Sequence, residues 1–209
     1  MSTASPPRPT ESETGVLYRM TVGTYHEMIR LGLVTRADRV VLLDGLMVKT
    51  MSKGPRHAST TRRAFELLRS RLPAGWFAIK EDPITLANGP DGDSEPEPDV
   101  AVVAGSPGDF DERHPTPGEI VLVVEVADSS LPGDRRALRR YAWAGLPTAW
   151  IVNLGDDTIE VYTEPTRSGP APGYSRREVK RPGDTIEVVV GGAARATLGV
   201  SEILGPAQG

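Results

Sequence analysis

The fold is decided by residues 119–153, which read EIVLVVEVADSSLPGDRRALRRYAWAGLPTAWIVN. Residues 119–126 form a short apolar run rich in β-branched residues, which is typical of a buried strand. Apolar positions recur at helical spacing over residues 132–144 and predict an amphipathic helix. Residues 147–153 form a second apolar run. A strand, a helix and a strand at this spacing predict two parallel strands joined by a right-handed crossover.

The flanking sequence extends this unit to a mixed α/β domain. On the N-terminal side we expect helices at residues 21–32 and 55–72, an Asp44-Gly45 hairpin within residues 39–49, and strands at residues 76–79, 84–86 and 98–103. On the C-terminal side we expect strands at residues 158–162, 174–179 and 186–190. The predicted fold class is α/β with mixed α+β character, in which helices flank a central mixed sheet.

The chain has 209 residues, a length that favours one domain. Residues 1–15 are rich in Ser, Thr, Pro and Glu and lack an apolar segment, so we expect a disordered N-terminal tail and no secretory signal. We expect a single domain at residues 16–204 and a frayed C-terminus at residues 205–209.

The composition excludes several classes of protein. Cysteine is absent, which excludes disulfides, thiolate zinc sites and a cysteine nucleophile, and which fits a cytoplasmic location. No apolar run is long enough to span a membrane, so no membrane partner is expected. The net charge of −4 argues against a broad basic face for nucleic acid. A local basic cleft is still compatible with this charge, since the field depends on where the charges lie.

Two carboxylates flank the apolar runs and are the candidate catalytic residues. Asp99 begins one run and Glu125 lies near the end of the next. If the two strands are neighbours, both side chains share one edge of the sheet, and together with the carbonyl of Val126 they would suit Mg²⁺ or Mn²⁺. Such an ion would polarise a phosphoryl oxygen and lower the pKa of a bound water. The alternative is a turn aspartate and a solvated glutamate without a metal.

Several motifs resemble one known family, the Uma-type restriction endonucleases. They are SEPEPDVAVV at residues 94–103, VVEVADSS at residues 123–130, YAWAGLPTAWIVN at residues 141–153 and, more loosely, LLDG at residues 42–45 with Met51-Ser52 and His57. These motifs follow the order of the family and span residues 25–204. The resemblance implies a restriction-endonuclease-like domain with the PD-(D/E)XK nuclease fold, in which Asp99 and Glu125 would be the metal-binding acids.

The chain departs from the pattern of this family at two positions. Val41 stands where members commonly carry a glutamate, and Ala137 stands where they commonly carry a lysine. In nucleases of this fold such a lysine orients water or stabilises charge on the phosphate. We expect Arg135 to act as the stand-in, because an arginine can clamp a phosphate although it cannot act as a general base.

Other side chains are candidates for accessory roles. Arg136, Arg139 and Arg140 either form a solvated helix face or contact nucleic-acid phosphates. His57 lies at the start of the second helix and either faces the metal or the nucleic acid, or makes a local hydrogen bond. Glu81 and Glu97 could supply further carboxylate oxygens to the site.

The sequence therefore favours an Mg²⁺- or Mn²⁺-dependent endonuclease that hydrolyses DNA phosphodiester bonds. A second hypothesis is a catalytically degenerate nuclease-fold protein that binds nucleic acid or a protein partner, which the departures at Val41 and Ala137 favour. A third and weaker hypothesis is a hydrolase acting on another phosphate ester. A homodimer is compatible with each of these hypotheses.

Overall fold

The computed structural model describes residues 17–128, 131–167, 172–192 and 194–206. The expected tail at residues 1–15 lies outside these ranges, as do residues 207–209 of the expected frayed C-terminus. The helices are α1 (Val22–Arg30), α2 (Pro55–Arg71), α3 (Leu131–Ala144) and α4 (Val200–Leu204). The strands are β1 (Val40–Leu43), β2 (Leu46–Lys49), β3 (Trp76–Ile79), β4 (Val100–Ala104), β5 (Ile120–Ala127), β6 (Thr148–Asn153), β7 (Thr158–Thr166), β8 (Gly173–Lys180), β9 (Thr185–Val190) and β10 (Ala194–Gly199).

The centre of the fold is a six-stranded mixed sheet in the order β3-β4-β5-β6-β7-β8. Strands β5 and β6 are parallel and are connected by α3, which confirms the predicted crossover. The other neighbouring strands of this sheet are antiparallel. Two separate hairpins, β1-β2 and β9-β10, complete the strands of the described ranges.

Both faces of this sheet are covered, which explains the continuous apolar character of its central strands. On one face, Val124 and Trp150 pack with Leu68 of α2 and with residues of β9, β10 and α4. On the other face, Val123 and neighbouring side chains pack with Leu138 and Tyr141 of α3. The predicted architecture of a single domain, with helices flanking a central mixed sheet, is confirmed.

The N-terminal elements form a smaller layer beside this sheet. Helix α1 begins after Thr21, whose hydroxyl accepts a hydrogen bond from the backbone N–H of Thr24 and so caps the helix. Asp44 and Gly45 both have positive φ angles, 53° and 74°, and form the predicted tight turn of the β1-β2 hairpin. Tyr25 packs near Leu42, so that α1 and the hairpin share a small core of their own.

One expectation about secondary structure is wrong, and two elements near the C-terminus were not expected. Residues 84–86 form no regular strand and contribute only an isolated bridge between Leu86 and Ser94. Prolines at positions 83, 96 and 98 lack the N–H group that a longer ladder would need. At the C-terminus, strand β10 and helix α4 were not predicted, because small residues such as Gly199 interrupt the apolar pattern there.

Candidate active site

The register of β4 against β5 brings the two candidate acids together. Val100 lies opposite Val124 in this antiparallel pair. Asp99 and Glu125 therefore lie side by side at the same end of two neighbouring strands. The condition on which a shared site depends, that these two strands are neighbours, is therefore met. Both side chains line an open cleft of about 310 Å³ between the ends of β4 and β5, the β1-β2 hairpin and the start of α2. This volume lies at the lower end of the usual range for small-molecule sites.

Asp99 is the most strongly held side chain of this cleft. It is 3% exposed, and its Oδ2 accepts a hydrogen bond from the backbone N–H of Val126 at 2.7 Å. The Nζ of Lys53 donates to its Oδ1 at 2.5 Å, and Nε2 of His57 lies 3.1 Å from its Oδ2. Burial raises the pKa of Asp99, but the hydrogen bond from His57 and the charge of Lys53 outweigh it and hold the pKa below its ordinary value. Asp99 is therefore an anion at neutral pH.

Glu125 is oriented by helix α3. Its Oε1 accepts a hydrogen bond from the hydroxyl of Tyr141, a side chain that is 1% exposed. Burial, together with the negative charge of Glu125, raises the pKa of Tyr141 well above its ordinary value. Tyr141 therefore stays protonated and remains a hydrogen-bond donor to the carboxylate.

Lys53 belongs to this cleft, although no sequence pattern identified it. Its Nζ lies 2.5 Å from Asp99 Oδ1 and 2.8 Å from Glu81 Oε1. Burial lowers the pKa of Lys53, but the charges and hydrogen bonds of the two carboxylates outweigh it, so that the net pKa is raised and the lysine is a cation at neutral pH. The signal that could have identified it is its position four residues before His57, in the same segment that leads into α2.

The start of α2 fixes the position of both Lys53 and His57. Pro55 occupies the first turn of the helix, where its fixed φ angle favours helix initiation and its missing N–H costs no hydrogen bond. His57 follows within the same turn and is 8% exposed. Its Nδ1 lies 3.4 Å from the hydroxyl of Thr61, one turn further along the helix. His57 thus makes the local hydrogen bond that the sequence offered as one alternative, and it also contacts the candidate metal-binding acid Asp99.

The remaining accessory candidates lie at or beside the cleft. Glu97 lines it, and burial raises the pKa of this carboxyl although the charge of Lys53 opposes the rise. Glu81 borders a neighbouring cleft together with Glu97 and Lys53. The backbone of Val126 lies at the sheet edge beside Asp99. Val41 also lines the cleft, so one departure from the family pattern falls inside the site and offers no ligand oxygen.

The structure does not bring Arg135 to the two acids. Its Nη2 donates to Glu160 Oε1 at 2.6 Å, and the cleft of Asp99 and Glu125 is lined by other residues. Glu160 is 2% exposed and also binds Arg177, because a buried carboxylate requires compensating charge. The expectation that Arg135 stands in for the family lysine is therefore corrected.

The other three arginines of α3 line a different cleft, beside Trp143. Arg140 binds Asp44 at 2.5 Å, and Arg139 lies 4.0 Å from Asp91. Both are thus partly neutralised by acids of neighbouring loops, whereas Arg136 is exposed. A role of this group in contacting phosphates stays a prediction.

The buried carboxylate of Glu160 leads to a prediction about stability. Burial alone would raise the pKa of Glu160, but hydrogen bonds from Arg135, Tyr162 and Arg177 lower it to about 2. Because the folded pKa is depressed, the stabilisation is present above about pH 4.5 and is lost as the pH falls toward 2. We expect Glu160→Gln to lower the free energy of unfolding by about 2 kcal/mol at pH 7, measured by urea denaturation.

The matched control is Glu178→Gln, which removes an exposed carboxylate that also binds two cations. It should change stability little, since exposed ion pairs contribute weakly. The difference between wild type and Glu160→Gln should shrink at pH 3. An equal difference at both pH values would contradict the ionic role of Glu160.

The sequence pattern of one family covers most of the chain. The Uma2 family, described as "Putative restriction endonuclease", matches residues 22–198. The chain belongs to the Uma2 family. This confirms the resemblance of its motifs and brings Asp99, Glu125 and His57 within the matched region. No functionally curated protein matches this Uma2 member.

A solved structure supports the fold. This Uma2 chain is similar to the crystal structure of "a putative nuclease belonging to DUF820" from Anabaena variabilis, with a TM-score of 0.64 and 14% sequence identity. The similarity covers 84% of this chain and 94% of that chain. At this identity the likeness shows a shared nuclease-like fold. Within the described ranges, no helix has the length and apolar character needed to cross a membrane.

Proposed function

We propose that this Uma2 protein is a metal-dependent endonuclease that hydrolyses DNA phosphodiester bonds. The observation that carries the proposal is the pairing of Asp99 and Glu125 on adjacent strands, at the edge of a cleft that also holds the cation of Lys53. Two acids and a lysine are the groups that phosphodiester hydrolysis needs for metal binding and for charge stabilisation.

The donor set fits a hard divalent cation. Asp99 and Glu125 offer carboxylate oxygens and the backbone of Val126 offers a carbonyl, which are ligands suited to Mg²⁺ or Mn²⁺. When bound, such an ion supplies a Lewis acid and lowers the pKa of a coordinated water. The hydrogen bond from the backbone N–H of Val126 to Oδ2 keeps Asp99 fixed at the sheet edge. The hydroxyl of Tyr141 does the same for Glu125.

Lys53 has the properties of the phosphate-contacting cation. Its Nζ already lies among carboxylates at the cleft, and its raised pKa keeps it protonated. A protonated lysine can donate hydrogen bonds to a non-bridging phosphate oxygen but cannot accept the proton of a water molecule. We therefore assign Lys53 to charge stabilisation, the role that Ala137 cannot fulfil.

His57 acts through Asp99 rather than on the substrate. Its Nε2 lies 3.1 Å from Asp99 Oδ2, and the side chain is nearly buried. The imidazole therefore restricts the rotation of the carboxylate, as residues behind metal ligands commonly do. We assign His57 as a positioning residue.

A catalytically degenerate protein that binds nucleic acid or a protein partner is the second candidate. It is favoured by Val41, which lines the cleft without a ligand oxygen, and by the group of Arg136, Arg139 and Arg140 on the surface of α3. Such a binder would retain affinity for DNA without cleaving it. DNA as the partner and assembly into a homodimer also belong to the proposal, and sedimentation analysis tests the latter.

The decisive experiment is a cleavage assay on supercoiled and single-stranded DNA. Purified wild type is incubated with Mg²⁺ or Mn²⁺, with and without a chelator, beside an Asp99→Ala/Glu125→Ala double variant prepared identically. We expect nicking by the wild type that both the chelator and the double substitution abolish. No cleavage across metals, together with measurable DNA binding, would favour the degenerate binder. Equal cleavage by both proteins would indicate a contaminating nuclease and reject the proposed site.

A further inference from the structure

A second group of metal-ligating side chains lies outside this cleft. His26 comes from α1, Glu95 from the segment before β4, and His114 from the loop between β4 and β5. One ligand atom from each of the three lies within 4.8 Å of the others. Within residues 17–128, 131–167, 172–192 and 194–206, no other three His, Cys, Asp or Glu side chains converge in this way.

Glu95 is the fixed member of this group. It is 3% exposed, and the Nε2 of His26 lies 2.9 Å from its Oε1 and 2.8 Å from its Oε2. The hydroxyl of Thr85 donates to Oε2 at 3.0 Å. Metal-ligating carboxylates are typically held by such an additional hydrogen bond, which orients the oxygen toward the ion.

The cations around this group are engaged with other acids. Arg30 and Arg113 line the surface cleft beside His26 and His114. Arg30 binds Glu27, and Arg113 binds Glu119, each at 2.5 Å. A buried carboxylate needs a compensating positive charge, which a metal ion shared with the two histidines would provide.

We propose that His26, Glu95 and His114 form a binding site for a first-row transition metal ion, with Zn²⁺ as the preferred ion. Two imidazole nitrogens and one carboxylate oxygen are a donor set for Zn²⁺ and related ions, whereas Mg²⁺ prefers oxygen ligands alone. The site therefore differs in chemistry from the cleft of Asp99 and Glu125. The two sites share no residue, so this metal site can be tested independently of the proposed nuclease activity.

The geometry requires only small movements. Zn–N and Zn–O bonds of about 2.0–2.2 Å separate tetrahedral ligand atoms by roughly 3.4 Å. The His26 and Glu95 atoms are closer than this, at 2.8 Å, and the full set spans at most 4.8 Å. The side chain of His26 is 45% exposed, so it can rotate and leave the fourth position of the ion to water.

The location of the site suggests a structural role. Glu95 forms a bridge with Leu42 of β1, and His26 lies on α1, which packs on the same hairpin. His114 belongs to the long connection that leads into β5. A bound ion would therefore fasten the small N-terminal layer to the central sheet.

The test measures metal binding directly rather than DNA cleavage. The full chain carrying Glu125→Gln, which weakens the other site, is titrated with Zn²⁺ by calorimetry and with Co²⁺ by visible absorption. We expect one tight equivalent of Zn²⁺ and the d–d bands of a Co²⁺ site with nitrogen ligands. Zn²⁺ at about 100-fold above its Kd should raise the melting temperature by roughly 5–10 °C.

Each ligand is then replaced in that background. His26→Gln, His114→Gln and Glu95→Gln should each lower the Zn²⁺ affinity by at least about 100-fold and remove the Co²⁺ bands. Glu95 is buried, so Glu95→Gln could disturb folding. His26 is half-exposed, so His26→Gln tests the site without that complication. Glu112→Gln, which alters an exposed carboxylate of the same surface cleft, is the matched control and should keep the affinity. Equal Zn²⁺ affinity in the control and the three ligand variants, or no tight binding at all, would overturn the site.

Discussion

Glu125→Gln is expected to lower metal-dependent DNA cleavage by about 100- to 1,000-fold while the protein stays folded. The amide keeps the size of the side chain and can still accept the hydrogen bond from the Tyr141 hydroxyl. It removes the negative charge, and a neutral amide is a much weaker ligand for Mg²⁺ than a carboxylate. The Mg²⁺ concentration at half-maximal activity should therefore rise at least tenfold. Initial rates of plasmid nicking over a range of Mg²⁺ concentrations provide the measurement.

The matched control for this variant is Glu66→Gln. Glu66 lies on the exposed face of α2 and forms an ion pair with Arg69. It should leave both the cleavage rate and its Mg²⁺ dependence unchanged. A rate for Glu125→Gln within threefold of wild type would reject Glu125 as a metal ligand, provided that the melting temperatures of the two variants agree.

The two acids could be predicted from sequence because their positions follow from strand periodicity. Apolar runs beside Asp99 and Glu125 predict buried strands, and strands that follow one another along the chain are commonly neighbours in one sheet. The register that sets Val100 opposite Val124 then determines which side chains share the edge. The positions of Asp99 and Glu125 could thus be predicted from the apolar runs beside them.

The cations could not be predicted in the same way, because their partners depend on tertiary contacts. A helical wheel locates Arg135 on the flank of α3, but only the fold brings buried Glu160 of β7 within reach of it. Lys53 lies in an irregular segment, where no periodicity specifies the direction of a side chain. It meets Asp99, 46 residues away, because α2 packs against β4, which begins directly after Asp99.

The C-terminal elements were missed for a related reason. Strand β10 is a short strand of small and polar residues, so its sequence lacks the apolar pattern typical of a strand. Antiparallel pairing with β9 stabilises it. Helix α4 has only five residues, too few for a periodic signal, and is held by burial of Val200, Ile203 and Leu204. Both elements owe their structure to the apolar face of the central sheet that they cover.

Lys53→Met is the variant that separates a role in charge stabilisation from a role in folding. Methionine keeps the unbranched apolar stem but lacks the ammonium group that contacts Asp99 and Glu81. If Lys53 stabilises charge on the phosphate, the maximal cleavage rate at saturating Mg²⁺ should fall by about 100- to 1,000-fold. Lys180→Met, which breaks an ion pair with Glu178 on β8, is the matched control and should cleave at the wild-type rate.

The metal dependence of Lys53→Met should change in the opposite direction to that of Glu125→Gln. In wild type the ammonium group neutralises the carboxylates of Asp99 and Glu81, so it competes with a divalent cation for the same negative charge. Its removal should leave the Mg²⁺ concentration at half-maximal activity unchanged or lower, although the rate itself falls. A lower rate accompanied by an equal rise in the required Mg²⁺ would instead mean that Lys53 only holds Asp99 in position.

Lys53→Arg completes this series because it retains the positive charge with a different geometry. A guanidinium group can still contact a phosphate, so we expect it to recover part of the cleavage rate lost in Lys53→Met. Recovery of the rate without a change in melting temperature between the two variants supports a direct contact with the substrate. If Lys53→Met and wild type cleave at the same rate, the charge that the reaction needs comes from another residue, and the proposed role of Lys53 is wrong.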